Sequence, residues 1–185
     1  MGDQRLRVAK IDQTLSFDTL REIDDAIAKV EQAIEAGEVR GLIFTGTGDK
    51  AFCAGADITE LLNRSLIQES MATKFGQGVM TRISELRVPS VAVIHGYAFG
   101  GGLELALSCT FRVATPKAKV GLPEIKLGLV PGYGGTQRLP RLVGEGRALD
   151  IIMSGRTVEA DEAERIGLVT RKVEGGDPLA IGKDF

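Results

Sequence analysis

Two glutamates stand where core residues would be expected. Glu104 lies in residues 98–107, AFGGGLELAL, flanked by Leu103, Leu105, Ala106 and Leu107. Glu124 follows Pro123 in VGLPEIKLG, a segment too apolar for a simple solvated loop. An ionised carboxylate buried without partners is costly, so such groups shift their pKa values or find partners. Two of them in apolar settings suit a general acid and a general base. Each has a plainer reading: an exposed face or ion pair for Glu104, and a surface turn paired with Lys126 for Glu124. The glycines Gly100, Gly101 and Gly102 open the helix that carries Glu104. N–H groups at a helix start, backed by the helix dipole, can hold an oxyanion or a phosphate. The same run also fits a turn needing positive φ and close helix–strand packing. It lacks the lysine of a phosphate-binding loop.

A third candidate is AFCAGADI, residues 51–58. Ala54, Gly55 and Ala56 are small enough for a ligand to approach the backbone, and Asp57 suits the cap of a following helix. An ordinary strand-to-helix turn is the alternative. Cys53 has no neighbouring base or basic cluster to activate it, so it is not read as a nucleophile. His95, the single histidine, has no Ser or Cys partner motif nearby and reads as a hydrogen-bonded strand-end residue. PGYGGTQRLPR reads as a turn feeding a helix N-terminus, with Gly132 placing a backbone donor near a site. Arg138 and Arg141 fit a solvated helix face better than an anion site.

These residues must be held by a framework, and periodicity supplies one. Phe17, Leu20, Ile23, Ile27, Val30 and Ile34 recur at steps of three and four after a capping Ser16, which predicts a helix ending near Gly37. RGLIFTG (40–46) and SVAVIHG (90–96) read as buried strands. A helix is predicted between them over 73–86, with Val79, Ile83 and Leu86 on one face. Residues 101–108 read as a helix and TFRVATPKA as a strand. VGLPEIKLGLVPGYGG reads as loop-rich. Three short helices are expected in GTQRLPRLVG, GRALDIIMSG and TVEADEAERIGLV. Alternating helices and buried strands predict an α/β fold with a largely parallel sheet, whose sites gather where strands lead into helices.

Composition narrows the function classes. With 185 residues the chain suits one domain. A net charge of −2 with scattered basic residues points away from nucleic acid. Two cysteines, Cys53 and Cys109, make no disulfide framework and fit a reducing compartment. With one histidine and no zinc-type spacing, no metal is expected. No apolar run is long enough to span a membrane, and no signal peptide is indicated.

Taken together, AFCAGADI, HGYAFGGGLELALSC, VGLPEIKLGLVPGYGGTQRLPRLVG and SGRTVEADEAERIGLV resemble the crotonase family, also called the enoyl-CoA hydratase/isomerase family. They run in the family's order and spacing over roughly residues 16–173. The resemblance is closest to bacterial enoyl-CoA hydratases. It implies a crotonase-type ββα superhelix, a spiral of stacked turns, in a single domain over 1–185. It also implies a coenzyme A thioester substrate, with coenzyme A part of the substrate rather than a cofactor. Glu104 and Glu124 match the two catalytic glutamates. Ala56 and Gly101 match the backbone N–H groups of the oxyanion hole. Ala54, which matches a position that reads the adenine, joins Asp57, Ile58 and Gly132 as substrate-binding positions. The implied reaction is addition of water across the C2–C3 double bond of a 2-trans-enoyl-CoA, in the cytoplasm. A Δ3,Δ2-enoyl-CoA isomerase or other crotonase-type lyase is the alternative, and a non-catalytic thioester-binding or scaffold protein is another. Two carboxylates rather than one favour hydration.

The chain departs from the family pattern at both ends. RLRVAKID joins QTLSFDTL directly, without the R-P-x-x-x-N-A-L type motif and the longer β-rich opening. Beyond GLV the family continues with several helices that cover the acyl pocket and build oligomer contacts, whereas this chain stops at Phe185. The expectation is therefore a core whose N-terminal strands and C-terminal helices are missing, and a homotrimer or hexamer where those helices are present.

Overall fold

The computed structural model describes residues 5–12, 14–61 and 65–185. Two sheets run through it. The first is a five-stranded, all-parallel sheet, in which β1 (Leu6–Ile11) pairs with β2 (Gly41–Gly46). β2 pairs in turn with β4 (Ser90–Ile94), β4 with β6 (Phe111–Ala114), and β6 with β9 (Arg171–Lys172). The second sheet runs β3 (Ala51–Cys53), β5 (Tyr97–Phe99), β7 (Lys119–Gly121) and β8 (Val158–Glu159), with only β8 antiparallel.

Chain order explains the pairing. Each turn of the chain lays one strand in the first sheet, turns a corner, and lays the next in the second sheet. β2 leads to β3, β4 to β5 and β6 to β7, and each pair is followed by helix. The turns stack as the implied ββα superhelix. Alternation along the strands feeds two cores. Leu42, Phe44, Ala92 and Ile94 join the main core, while Ile43, Val91, Val93 and Val113 form a second cluster on the opposite face. With both faces covered, the strands read as continuous apolar runs rather than alternating ones.

The helices follow the sequence closely in some places and not in others. α1 (Phe17–Glu35) starts at Ser16, whose side chain accepts from the Thr19 N–H, and buries Leu20, Ile23 and Ile27. α2 (Ile58–Leu61) is a short turn. α3 (Leu66–Ser84) begins seven residues before the predicted start, behind a Ser65–Gln68 capping box. Its first two turns hold Leu66, Ile67 and Met71 in solvent, so no apolar periodicity marks them. α4 (Gly101–Ser108) is buried at all eight positions. The segment read as loop is a 3₁₀ turn over Pro123–Leu127, followed by α5 (Gly135–Val143), α6 (Glu145–Ser154) and α7 (Ala160–Arg165). α8 (Pro178–Asp184) has an Asp177 cap on the Ala180 N–H, and its Leu179 and Ile181 pack on the second cluster. Neither β1 nor α8 was expected from periodicity, because each is too short or too mixed in polarity to show it.

Candidate active site

α4 is the element that positions the site, and each of its opening glycines is explained by its surroundings. Gly100 caps the helix at φ +52°, a conformation that side chains resist. Gly102 lies directly against β3, where a Cβ would overlap the carbonyl oxygen of Cys53. Gly101, between them, is the first helical residue, so its N–H has no intrahelical acceptor. The turn and the close packing are therefore real, and they leave an N–H at the positive end of the helix dipole.

Ala56 faces the same place from the first strand-to-helix loop. It forms a parallel bridge with Leu15, made by the Leu15 N–H to the Gly55 carbonyl and the Asp57 N–H to the Leu15 carbonyl. In that pattern Ala56's own N–H points to the side away from Leu15. Ala54, Gly55, Ala56, Gly100, Gly101, Glu104, Glu124 and Gly132 all line one cleft of about 200 Å³. The structure thus brings together six of the eight sequence-predicted site residues. Asp57 lies beside the cleft, partly exposed. Its carboxylate accepts from the Thr59 N–H at 2.9 Å and the Thr59 hydroxyl at 2.7 Å, which lowers its pKa. That is the capping role read from the sequence. The Ile58 backbone opens α2, and its side chain lies outside the described residues.

Glu104 is 1 % exposed, yet it is not orphaned. Its Oε1 accepts the N–H of Tyr133 at 2.8 Å and of Gly135 at 2.7 Å. The Gly135 N–H is an open donor at the first position of α5 and the Tyr133 N–H lies in the turn just before it, so a side chain of one helix meets the N-terminus of another. Burial is the strongest influence and pushes the carboxyl up to about 7; the Gly135 N–H opposes this, and Glu124 adds to it. Smaller opposing contributions come from the Tyr133 N–H and the Arg138 guanidinium. Glu124 is half-buried, and burial raises its carboxyl too, against its own backbone N–H. Its Oε1 lies beside the Gly100 backbone, and its buried Oε2 has no hydrogen-bond partner among the described residues. Two carboxylates that feel each other across a cleft, both shifted toward neutrality, can exchange protons with a bound molecule.

The other sequence readings divide. His95 is a strand-end residue as expected: its Nε2 donates to the Gly48 carbonyl at 3.1 Å, and its Nδ1 lies 3.5 Å from the Thr45 hydroxyl. Cys53 is buried, and its thiol is pushed up to about 11, which is inert. Arg138 is a correction. It does not lie on a solvated face but is half-buried, and it donates to the Tyr133 carbonyl at 3.0 Å near Glu104. Tyr133, Gly135, Glu69, Thr73, Leu127, Leu129 and Val130 also belong to the site or its supports and were not named from the sequence. The PGYGG turn signalled open N–H groups, but nothing local named Glu104 as their acceptor. Among the described residues no three His, Cys, Asp or Glu side chains gather as a metal site, and no helix is long and apolar enough to cross a membrane.

Residues 5–177 match the family described as enoyl-CoA hydratase/isomerase. The chain belongs to the enoyl-CoA hydratase/isomerase family. It is 43 % identical to a short-chain-enoyl-CoA hydratase of Clostridium acetobutylicum, over 92 % of this chain and 64 % of that protein. It is 47 % identical to a crotonyl-CoA hydratase of Syntrophomonas wolfei, over 86 % of this chain and 60 % of that protein. The crystal structure of an enoyl-CoA hydratase from Bacillus anthracis superposes with a TM-score of 0.83 at 41 % identity, covering 90 % of this chain and 66 % of that one. The chain therefore spans somewhat under two thirds of the length of the curated family members it matches.

Proposed function

We propose that this chain hydrates 2-trans-enoyl-CoA thioesters. The observation that carries the reading is the meeting of Glu104 and Glu124 in one cleft with the N-terminus of α4. Attack of water on C3 of a conjugated thioester moves negative charge onto the thioester oxygen. The N–H groups of Gly101 and Ala56 are the donors proposed to receive it. Losing one such donor typically costs about 3–4 kcal/mol of barrier.

Glu104 takes a proton from water as the oxygen bonds to C3, and Glu124 delivers a proton to C2. The sum is H and OH across the double bond. The cycle closes when the proton on Glu104 returns to Glu124 through water. A carboxyl near 7 beside a second one that burial also raises suits such proton exchange with bound water. Gly132, whose carbonyl is fixed by Gln77, is assigned to the water, and Ala54, Asp57 and Ile58 to the coenzyme A portion.

Crotonyl-CoA is the test substrate, followed by loss of its conjugated-thioester absorbance. Wild-type chain should turn it over, and a Glu104→Gln, Glu124→Gln double variant should not. Full activity in the double variant rejects the reading. Turnover of a 3-enoyl-CoA instead would mark an isomerase.

A further inference from the structure

Gln77 lies on the exposed side of α3, outside the residues that line the cleft. Its Nε2 nevertheless donates to the carbonyl of Gly132 at 2.8 Å. That carbonyl shares a peptide unit with the Tyr133 N–H, which donates to Glu104 Oε1 at 2.8 Å. One planar group therefore carries a hydrogen bond at each end. We propose that Gln77 is a positioning residue for Glu104, acting through the 132–133 peptide by fixing its tilt and strengthening its N–H as a donor.

The physical basis has two parts. A hydrogen bond accepted by an amide carbonyl polarises the amide and makes its N–H a better donor, by roughly 10–30 % per bond in condensed phases. The tilt matters because residue 132 is glycine and gives the plane little steric restraint of its own. Nearby contacts help: the Tyr133 ring packs against Gly76 and Gly101, and Thr73 Cγ2 approaches Gly132. None of them bonds the 132 carbonyl. With Gln77 removed, water solvates that carbonyl and the plane is free to turn, so the Tyr133 N–H holds the Glu104 carboxylate less well. The Gly135 N–H remains.

The charged and titratable groups that face Glu104 stay in place under this change. They are Glu124 across the cleft, Arg138 on α5 with Arg141 behind it, Glu69 on α3, and the neutral Cys53 thiol on β3 beneath Gly102. Gln77 is uncharged, so a neutral replacement leaves the field of these groups as it was.

The inference rests on the reading of Glu104 as the proton acceptor, but its test does not depend on turnover. Chain carrying ¹³C at the glutamate carboxyls is titrated by NMR, with Glu104 assigned by the signal lost in Glu104→Gln. In Gln77→Leu and Gln77→Met the Glu104 midpoint should rise by about half a pH unit, because its anion loses donor strength. Crotonyl-CoA turnover near pH 7 should drop about threefold in kcat with KM unchanged. Thermal stability should stay near wild type, since the residue is exposed. A midpoint within a tenth of a pH unit of wild type in both variants overturns the inference whatever the kcat. Full hydration by Glu104→Gln would instead reject the proton-acceptor role while leaving the titration as a valid reading of the coupling.

Discussion

Glu104 and Glu124 line one cleft but are held in opposite ways. Glu104 projects from a helix with no exposed position, and two backbone N–H groups fix its Oε1. Glu124 belongs to a 3₁₀ turn in which no residue is fully buried. Leu127, Leu129 and Val130 follow it with 55 %, 45 % and 71 % of their surface in solvent. Burial raises both carboxyls, so burial does not separate them. Support does. One carboxylate is built into the packing of α4 against α5. The other rides on a 3₁₀ turn that rests against Gly155 at the end of α6 and runs straight into an exposed stretch. That division suits the roles proposed for them, Glu104 keeping its place relative to the proposed oxyanion donors and Glu124 following a carbon.

The largest expected effects strike the carboxylates themselves. Glu104→Gln should lower kcat for crotonyl-CoA hydration about 10³-fold, and Glu124→Gln about 10²- to 10³-fold. Shortening each side chain sharpens the contrast. Glu104→Asp should cost nearly as much as Glu104→Gln, because a shorter carboxylate cannot reach the Tyr133 and Gly135 N–H groups. Glu124→Asp should keep more activity than Glu124→Gln, since its segment can adjust. The reverse order of the two aspartate variants in steady-state kinetics would break the comparison.

Next come effects on the frame. Gly102→Ala drives a methyl into the Cys53 carbonyl and should destabilise by about 3 kcal/mol or more in denaturant titrations. Gly132→Ala, whose Cβ would meet only Thr73 Cγ2 at 3.7 Å, should change stability by less than about 1 kcal/mol. Both glycines lie by the cleft, and only the one under α4 is required by packing.

Stability against pH gives a third contrast. Folding raises Glu104 from the ordinary carboxylate value of 4.5 to about 7, so the folded chain binds that proton more tightly than the unfolded one. The associated stability is fully present below about pH 4.5 and is lost as pH rises through 7. Glu104→Gln cannot ionise. At pH 8 it should be more stable than wild type by about 3 kcal/mol, with the difference shrinking to under about 1 kcal/mol at pH 5. Melting curves across that range check it, and a constant difference would contradict it. The smallest effects belong to the open segment: Leu127→Ser and Val130→Ser should each shift stability by under about 0.5 kcal/mol.

Much of this contrast was legible in the sequence on one side only. The apolar company of Glu104, the glycines before it and the buried strands at 40–46 and 90–96 all announce tight packing, and local periodicity suffices to read them. α1 and its Ser16 cap were readable for the same reason. The Glu124 side was not. A 3₁₀ turn of exposed Ile125 and Leu127 has no period to follow, and α3's early turns and α8 are equally silent. Convergence is nonlocal: Glu104 meets Tyr133 and Gly135 across some thirty positions of chain. Arg138 was misread because a helix-face pattern does not show which face another segment covers. Gln77 gave no signal, since its role lies in a peptide plane contributed by other residues.

The central claim is that the two carboxylates work as one unit on one water. A double-mutant cycle tests it most directly, with kcat for crotonyl-CoA hydration measured in wild type, Glu104→Gln, Glu124→Gln and the double variant. The account predicts that the double variant is no slower than the worse single variant within a few-fold, as for groups that fail together. Losses that multiply, or a double variant as active as wild type, would contradict it.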